Sequence, residues 1–168
     1  MHAAQRHTAR ALALAVAFAA AACGPGDAEP RADRPALSFE RGRVLVLTGA
    51  DTLELSVEVA ETEAQRAQGL MERRTLAEDS GMVFLYDELQ PGSAGFYMFR
   101  TRIPLDIAFF DAAGAIVRIL AMEPCESPNP GVCRTYPPGV PYMGALEVNQ
   151  GWFARHGVAV GDTIVVER

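Results

Sequence analysis

Phe-Tyr-Met-Phe-Arg-Thr-Arg-Ile-Pro-Leu-Asp-Ile-Ala-Phe-Phe-Asp, residues 96–111, is the most aromatic stretch of the chain, and it carries Arg100, Arg102 and Asp106 among its large apolar groups. Extended backbone sends alternate side chains to opposite faces. Leu105, Ile107 and Phe109 then share one face, and Asp106, Ala108 and Phe110 share the other. Large apolar groups on both faces mark a central strand. Charges set in such a strand must be paired or exposed, because an unpaired buried charge is prohibitively costly. The stretch is therefore expected to be core and also the place for a site. Proline cannot donate to a ladder, so the stretch should divide into two strands near Ile103 and Pro104.

Working outward, residues 52–59 alternate strictly: Leu53, Leu55, Val57 and Val59 against Thr52, Glu54, Ser56 and Glu58. That is the period of a half-buried antiparallel strand. Thr62 and Gln65 stand three apart as a capping box, opening a short helix that Gly69 can close. Further strands are expected over residues 43–47, 82–86, 115–122, 143–148 and 163–167, separated by turn-forming Gly, Asp and Pro. One helical turn is expected at 152–156, stopped by Gly157. The fold expected over residues 41–168 is mainly β: a single compact β-sandwich or partly closed barrel with one short helix and one helical turn.

The first 22 residues read as an address. Arg6 and Arg10 precede a wholly apolar, alanine-rich run over 11–22, which is the layout of a secretory signal. The run is shorter than the roughly 20 residues a membrane span requires. Ala20-Ala21-Ala22-Cys23 resembles the lipobox of bacterial lipoproteins, although leucine is usual where Ala20 stands. The resemblance implies lipid attachment at Cys23; the same alanines also fit an ordinary A-x-A cut that releases a soluble exported protein. Residues 23–40 are rich in Pro, Gly and charge, as a flexible tether would be.

Composition excludes several classes. The chain has 168 residues, net charge -6, and every basic side chain other than histidine is arginine. An acidic domain without a basic run is a poor nucleic-acid binder. Without lysine there is neither Schiff-base chemistry nor a P-loop.

Several stretches together resemble one family. Residues 55–71 are similar to its V-E-V-A-x-T-x-x-x-R-x-x-G-L-M signature, with Arg66, Gly69, Leu70 and Met71 in place. Gly81-Met82-Val83-Phe84 is similar to its G-M-L-F. Residues 96–111 are similar to its F-W-M-x-x-T-x-I-P-L-D-I-x-F-x-D, and Gly161-Asp162 to its closing Gly-Asp. On these motifs the chain is identified as a member of the DUF192 family, over residues 44–166. Tyr97 stands where tryptophan is usual, and Phe99-Arg100 where lysine-asparagine is common. The resemblance implies a compact β domain, often exported and lipid-anchored, and no catalytic residues.

Among candidate sites, Cys125 and Cys133 should form a disulfide if the domain is exported. They are far from C-x-x-C spacing, and a brace on a proline-rich loop is the plainer reading than a redox pair. His156 reads as a cation at a helix C-terminus. Met71, Met82, Met98, Met122 and Met143 read as interior filling. Phe96, Tyr97, Phe99, Tyr136, Tyr142 and Trp152 read as core before they read as a sugar-stacking groove. Arg66, Arg100, Asp106 and Glu147 are the charges of interest. An Arg100–Asp106 pair with Arg66 beside it would be a buried ion pair, and an arginine left over would grip a ligand.

The expected function is that of an exported cell-envelope protein, lipid-anchored and facing the periplasm, whose β domain binds a small ligand or a protein partner. Two alternatives compete: an envelope enzyme acting on carbohydrate with Asp106 and Glu147 as acid and base, and a structural or assembly factor with no ligand. No cofactor, metal or nucleic acid is expected, and the state expected is a monomer.

Overall fold

The computed structural model describes residues 37–168. The export signal over 1–22, lipid attachment at Cys23 and the tether as far as residue 36 lie outside the described residues. Near the start of the described residues, the Ser38 carbonyl accepts from Gln65 Nε2 at 2.8 Å, and Phe39 packs on the core.

Among the described residues, seven strands form one mixed sheet in the order β6-β5-β8-β3-β2-β1-β9. They are β1 (Glu40–Leu47), β2 (Thr52–Ala60), β3 (Ser80–Gln90), β5 (Leu105–Phe110), β6 (Ile116–Met122), β8 (Tyr142–Asn149) and β9 (Thr163–Glu167). β4 (Phe96–Tyr97) and β7 (Thr135–Tyr136) pair only with each other. The α-helices among the described residues are α1 (Glu63–Gln68) and the single turn α2 (Trp152–Arg155), with a 3-10 turn at Pro130–Val132 inside the disulfide loop. This is the β-rich fold expected, with its one short helix and one helical turn.

The sheet curls until its two edges touch. Ala115 and Thr163 form a bridge, and Ile116 N donates to Asp162 O and Ile164 N to Gly114 O, each at 2.8 Å. The edges meet only there, so the barrel is not closed. Two apolar clusters result, one on each face. Val57, Val83, Ala108, Phe110, Val148, Trp152 and their neighbours fill one. Met82, Phe84, Leu105, Ile107, Phe109 and Tyr142, covered by Met98, Leu70 and Tyr136, fill the other. Every residue of β5 is buried, and its alternation divides the strand between the two clusters as the sequence predicts.

One pairing differs from expectation. β2 is antiparallel to β1, with Leu55 opposite Val44, but it runs parallel to β3, with Val59 opposite Val83. Parallel neighbours require a crossover, and α1 with the following loop supplies it. The stretch at 96–111 does break at Pro104, but its first half leaves the main sheet and lies over it as β4. Close approach matters twice where β8 meets its neighbours β5 and β3. A Cβ at Gly144 would come within 2.2 Å of the Phe110 ring, and one at Gly81 within 2.4 Å of the Glu147 carbonyl. Both glycines let large neighbours sit directly against the backbone.

Candidate functional site

Glu147 lies on β8 between two strands, opposite Met82 on β3 and Ile107 on β5. Directly opposed residues share a face, so its carboxyl enters the cluster of Met82, Phe84 and Phe109. The residue is 5% exposed. Burial alone pushes its pKa up to about 8, with no charge or hydrogen bond from the described residues acting on it. A buried carboxyl is normally paired or accepts several hydrogen bonds; among the described residues this one has no such partner, and its oxygens open to the cavity rather than being sealed in the core. At neutral pH it is therefore chiefly protonated.

A cavity of about 40 Å³ opens over this carboxyl. That suffices for a water or one small polar group. Its roof is the end of α1 and the turn beyond it: Arg66, Gly69, Leu70 and Met71. Its walls are Phe84 from β3, Phe96 and Tyr97 from β4, and Thr101. α1 can hold a roof because its start is fixed. Thr62 Oγ1 accepts from Gln65 N at 3.2 Å, and Gln65 Oε1 accepts from Thr62 N at 3.0 Å, the expected capping box. Gly69 ends the helix at φ 47°, a value that favours glycine. The Phe84 ring lies edge-on to Phe96 at 4.9 Å between centroids, and Phe96 edge-on to Phe109 at 5.5 Å.

Roof and wall are tied together through two strained residues. Glu72, next after Met71, has φ 62°; Arg100, just before Thr101, has φ 55°. Glu72 N donates to Arg100 O at 2.8 Å, and Arg100 N donates to Cys125 O at 2.8 Å. Left-handed backbone outside glycine costs about 1–3 kcal/mol and clusters at functional sites. Asparagine tolerates that region better than an arginine does. Cys125 N donates to Thr101 O at 3.2 Å, and Cys125 is bonded to Cys133 as expected, with the Cα atoms 5.8 Å apart. The disulfide loop thus backs the Thr101 wall.

The four charges grouped in the sequence are dispersed. The Arg100–Asp106 pair does not form. The break at Pro104 carries Arg100 off the sheet, where it pairs with Glu72. Arg102 takes the same carboxylate. Arg102 and Arg100 hold Glu72 below the usual carboxylate range. A shallow cleft of about 410 Å³ lies there, lined by Glu72, Phe99, Arg100, Arg102, Glu126 and Ser127. Glu72 was not a sequence candidate; nothing in its run of charged neighbours singled it out. Arg66 donates from Nη1 to the Glu61 carbonyl and to the Leu85 carbonyl at 2.9 Å, and its guanidinium lies 4.7 Å over the Tyr86 ring.

Asp106 pairs with Val148, one step out of phase with Glu147, so its side chain enters the opposite face. There it accepts from Gly151 N at 2.8 Å. Burial raises its pKa, opposed by that N–H and by Arg155. Two carboxyls on opposite faces of one sheet cannot flank a single glycosidic bond, which both carboxyls must reach.

The remaining candidates are structural in their contacts. Tyr136, Tyr142 and Trp152 are buried. His156 stacks on Trp152 at 4.3 Å and contacts the Trp152 carbonyl through Nδ1 at 2.8 Å, at the end of α2. Tyr97 is 42% exposed and stacks on Phe99 at 6.3 Å beside the cavity mouth. Thr101 and Phe84 were not candidates from sequence, because only folding brings them to Glu147.

A family model matches residues 45–166: DUF192, described as "Uncharacterized ACR". Among solved structures, the chain is similar to a candidate transcription regulator from Sinorhizobium meliloti 1021, at 34% identity over 77% of this chain and 96% of that one, with a TM-score of 0.67. It is also similar to a protein of unknown function from Novosphingobium aromaticivorans DSM 12444, at 29% identity over 78% of this chain and 89% of that one, with a TM-score of 0.64. No curated protein matches the chain.

Proposed function

The chain belongs to the DUF192 family, and on that premise we propose that it is an exported, lipid-anchored cell-envelope protein whose β domain binds a small ligand over Glu147. One observation carries the binding reading: a buried carboxyl without a partner faces a cavity. The stretches that bear the family resemblance meet there. Arg66, Gly69, Leu70 and Met71 come from the first, Phe84 from the second, and Phe96, Tyr97 and Thr101 from the third. A carboxyl with a raised pKa that opens into a pocket, with no protein partner among the described residues, is the kind of group that marks a binding site.

The export reading rests on residues 1–23, and the Cys125–Cys133 disulfide fits an oxidising compartment. The carbohydrate-enzyme alternative loses its acid–base pair to the register of β5 and β8. The regulator label of the Sinorhizobium protein is not carried over. The net charge of -6 opposes DNA, and α1 and α2, of six and four residues, are too short to read a groove.

The binding reading is tested by native mass spectrometry of the protein isolated from its own envelope. A small-molecule adduct should be present on the wild type and missing from a folded Glu147→Leu variant. Equal adducts on both, or none on either, would remove it. Cys23→Ser should move the protein from the membrane to the soluble fraction; unchanged fractionation would remove the anchor.

A further inference from the structure

We propose that the cavity over Glu147 receives the ammonium group of a primary amine; this rests on the binding reading above and names its ligand class. The site offers one acidic side chain, a hydroxyl and aromatic rings in a space of about 40 Å³. That space admits a small polar group the size of an ammonium beside the carboxyl. The carboxyl brings a negative charge once its proton leaves, and the rings of Phe84, Phe96 and Tyr97 wall the rest of the space against water. Thr101 Oγ1 is held only by a long 3.5 Å contact to the Phe99 carbonyl, so its lone pairs remain to accept an N–H. Two carboxylate oxygens and this hydroxyl match the three donors of an ammonium.

The surrounding charges permit this. From α1, Arg66 lines the cavity and keeps its positive charge, but its Nη1 is anchored on two backbone carbonyls and its plane on Tyr86, and it does not act on the titration of Glu147. No cation contributes to the titration of Glu147. From β3 and β8, the Tyr86 and Tyr142 hydroxyls are pushed upward by burial and stay neutral. From β4, Tyr97 lies at the mouth.

Binding then exchanges one proton. The ammonium enters, Glu147 releases its proton to solvent, and the ion pair replaces the neutral acid. With Glu147 titrating at about 8 in the empty site, affinity should fall about tenfold for each pH unit below that value.

The test is titration of the full-length chain with n-propylammonium and with n-propanol, its neutral counterpart, at pH 8 and pH 6. Backbone amide shifts of residues 67–71 and 96–101 give the readout. Propylammonium should bind at pH 8, about 50-fold more weakly at pH 6, and no longer when Glu147→Gln is introduced. Propanol should be indifferent to pH. If both probes bind alike at both pH values, the ammonium inference is overturned and the binding reading survives. If neither moves these amides in the wild type, both are overturned. The wild-type pH comparison does not depend on the variant folding.

Discussion

Asp106 and Glu147 are both buried carboxyls, 7% and 5% exposed, on neighbouring strands and one step out of phase. That single step sends them to opposite faces and into different surroundings. Asp106 meets a backbone N–H at Gly151 and feels Arg155. Glu147 meets a cavity and no partner. Burial alone does not distinguish structural from functional carboxyls; the presence of a donor does. The satisfied carboxyl helps fix α2 at one end of the sheet. The other has no such donor among the described residues and meets its burial by holding its proton at neutral pH.

The largest expected effect tests that contrast through pH. Folded Glu147 keeps its proton to about pH 8, whereas an unfolded glutamate has lost it above about 4.5. The folded state binds more protons between those values, so stability falls as pH rises. The slope is at most about 1.4 kcal/mol per pH unit from this group. Urea midpoints across pH 5 to 8.5 should show the decline in the wild type, and Glu147→Gln should flatten most of it. A wild type whose stability is level over that range would break the comparison.

The disulfide comes next. Replacing Cys125 and Cys133 by serine should cost about 2–3 kcal/mol, as expected for a short closed loop. Hydrogen exchange should rise around Thr101, on the Glu147 side, with little change near Asp106. Uniform loosening of both sides would show that the loop does not specifically back the cavity.

Asp106→Ala strands the Gly151 N–H and should cost about 1–3 kcal/mol in chemical denaturation. Asp106→Asn keeps an acceptor there and should cost less. If both variants lose the same amount, the carboxyl charge rather than the hydrogen bond holds α2. The smallest effect concerns the cavity roof. Thr62→Ala removes the cap of α1 and should cost about 1 kcal/mol, read as a shift of the urea midpoint. An unchanged midpoint would mean that α1 is held by packing alone.

Much of the fold was legible because its signals are local. The alternation of residues 52–59, the Thr62–Gln65 box, the break at Pro104 and the turn at 152–156 each depend on neighbours in sequence, and each appears in the structure. The parallel pairing of β2 with β3 was not legible, because strand periodicity carries no information about the direction of a partner. The same limit applies to the site. Arg100 looked available to Asp106 from a distance of six residues, but the chain turns left-handed at Arg100 and delivers it to Glu72.

The sequence by itself determined which residues alternate, where helices begin and the chain turns, and that two cysteines and four unusual charges need an account. Only the tertiary structure decided which charges have partners. Satisfaction of a buried group depends on atoms brought from distant segments, and one residue of strand register is enough to move a carboxyl from a backbone donor to a cavity.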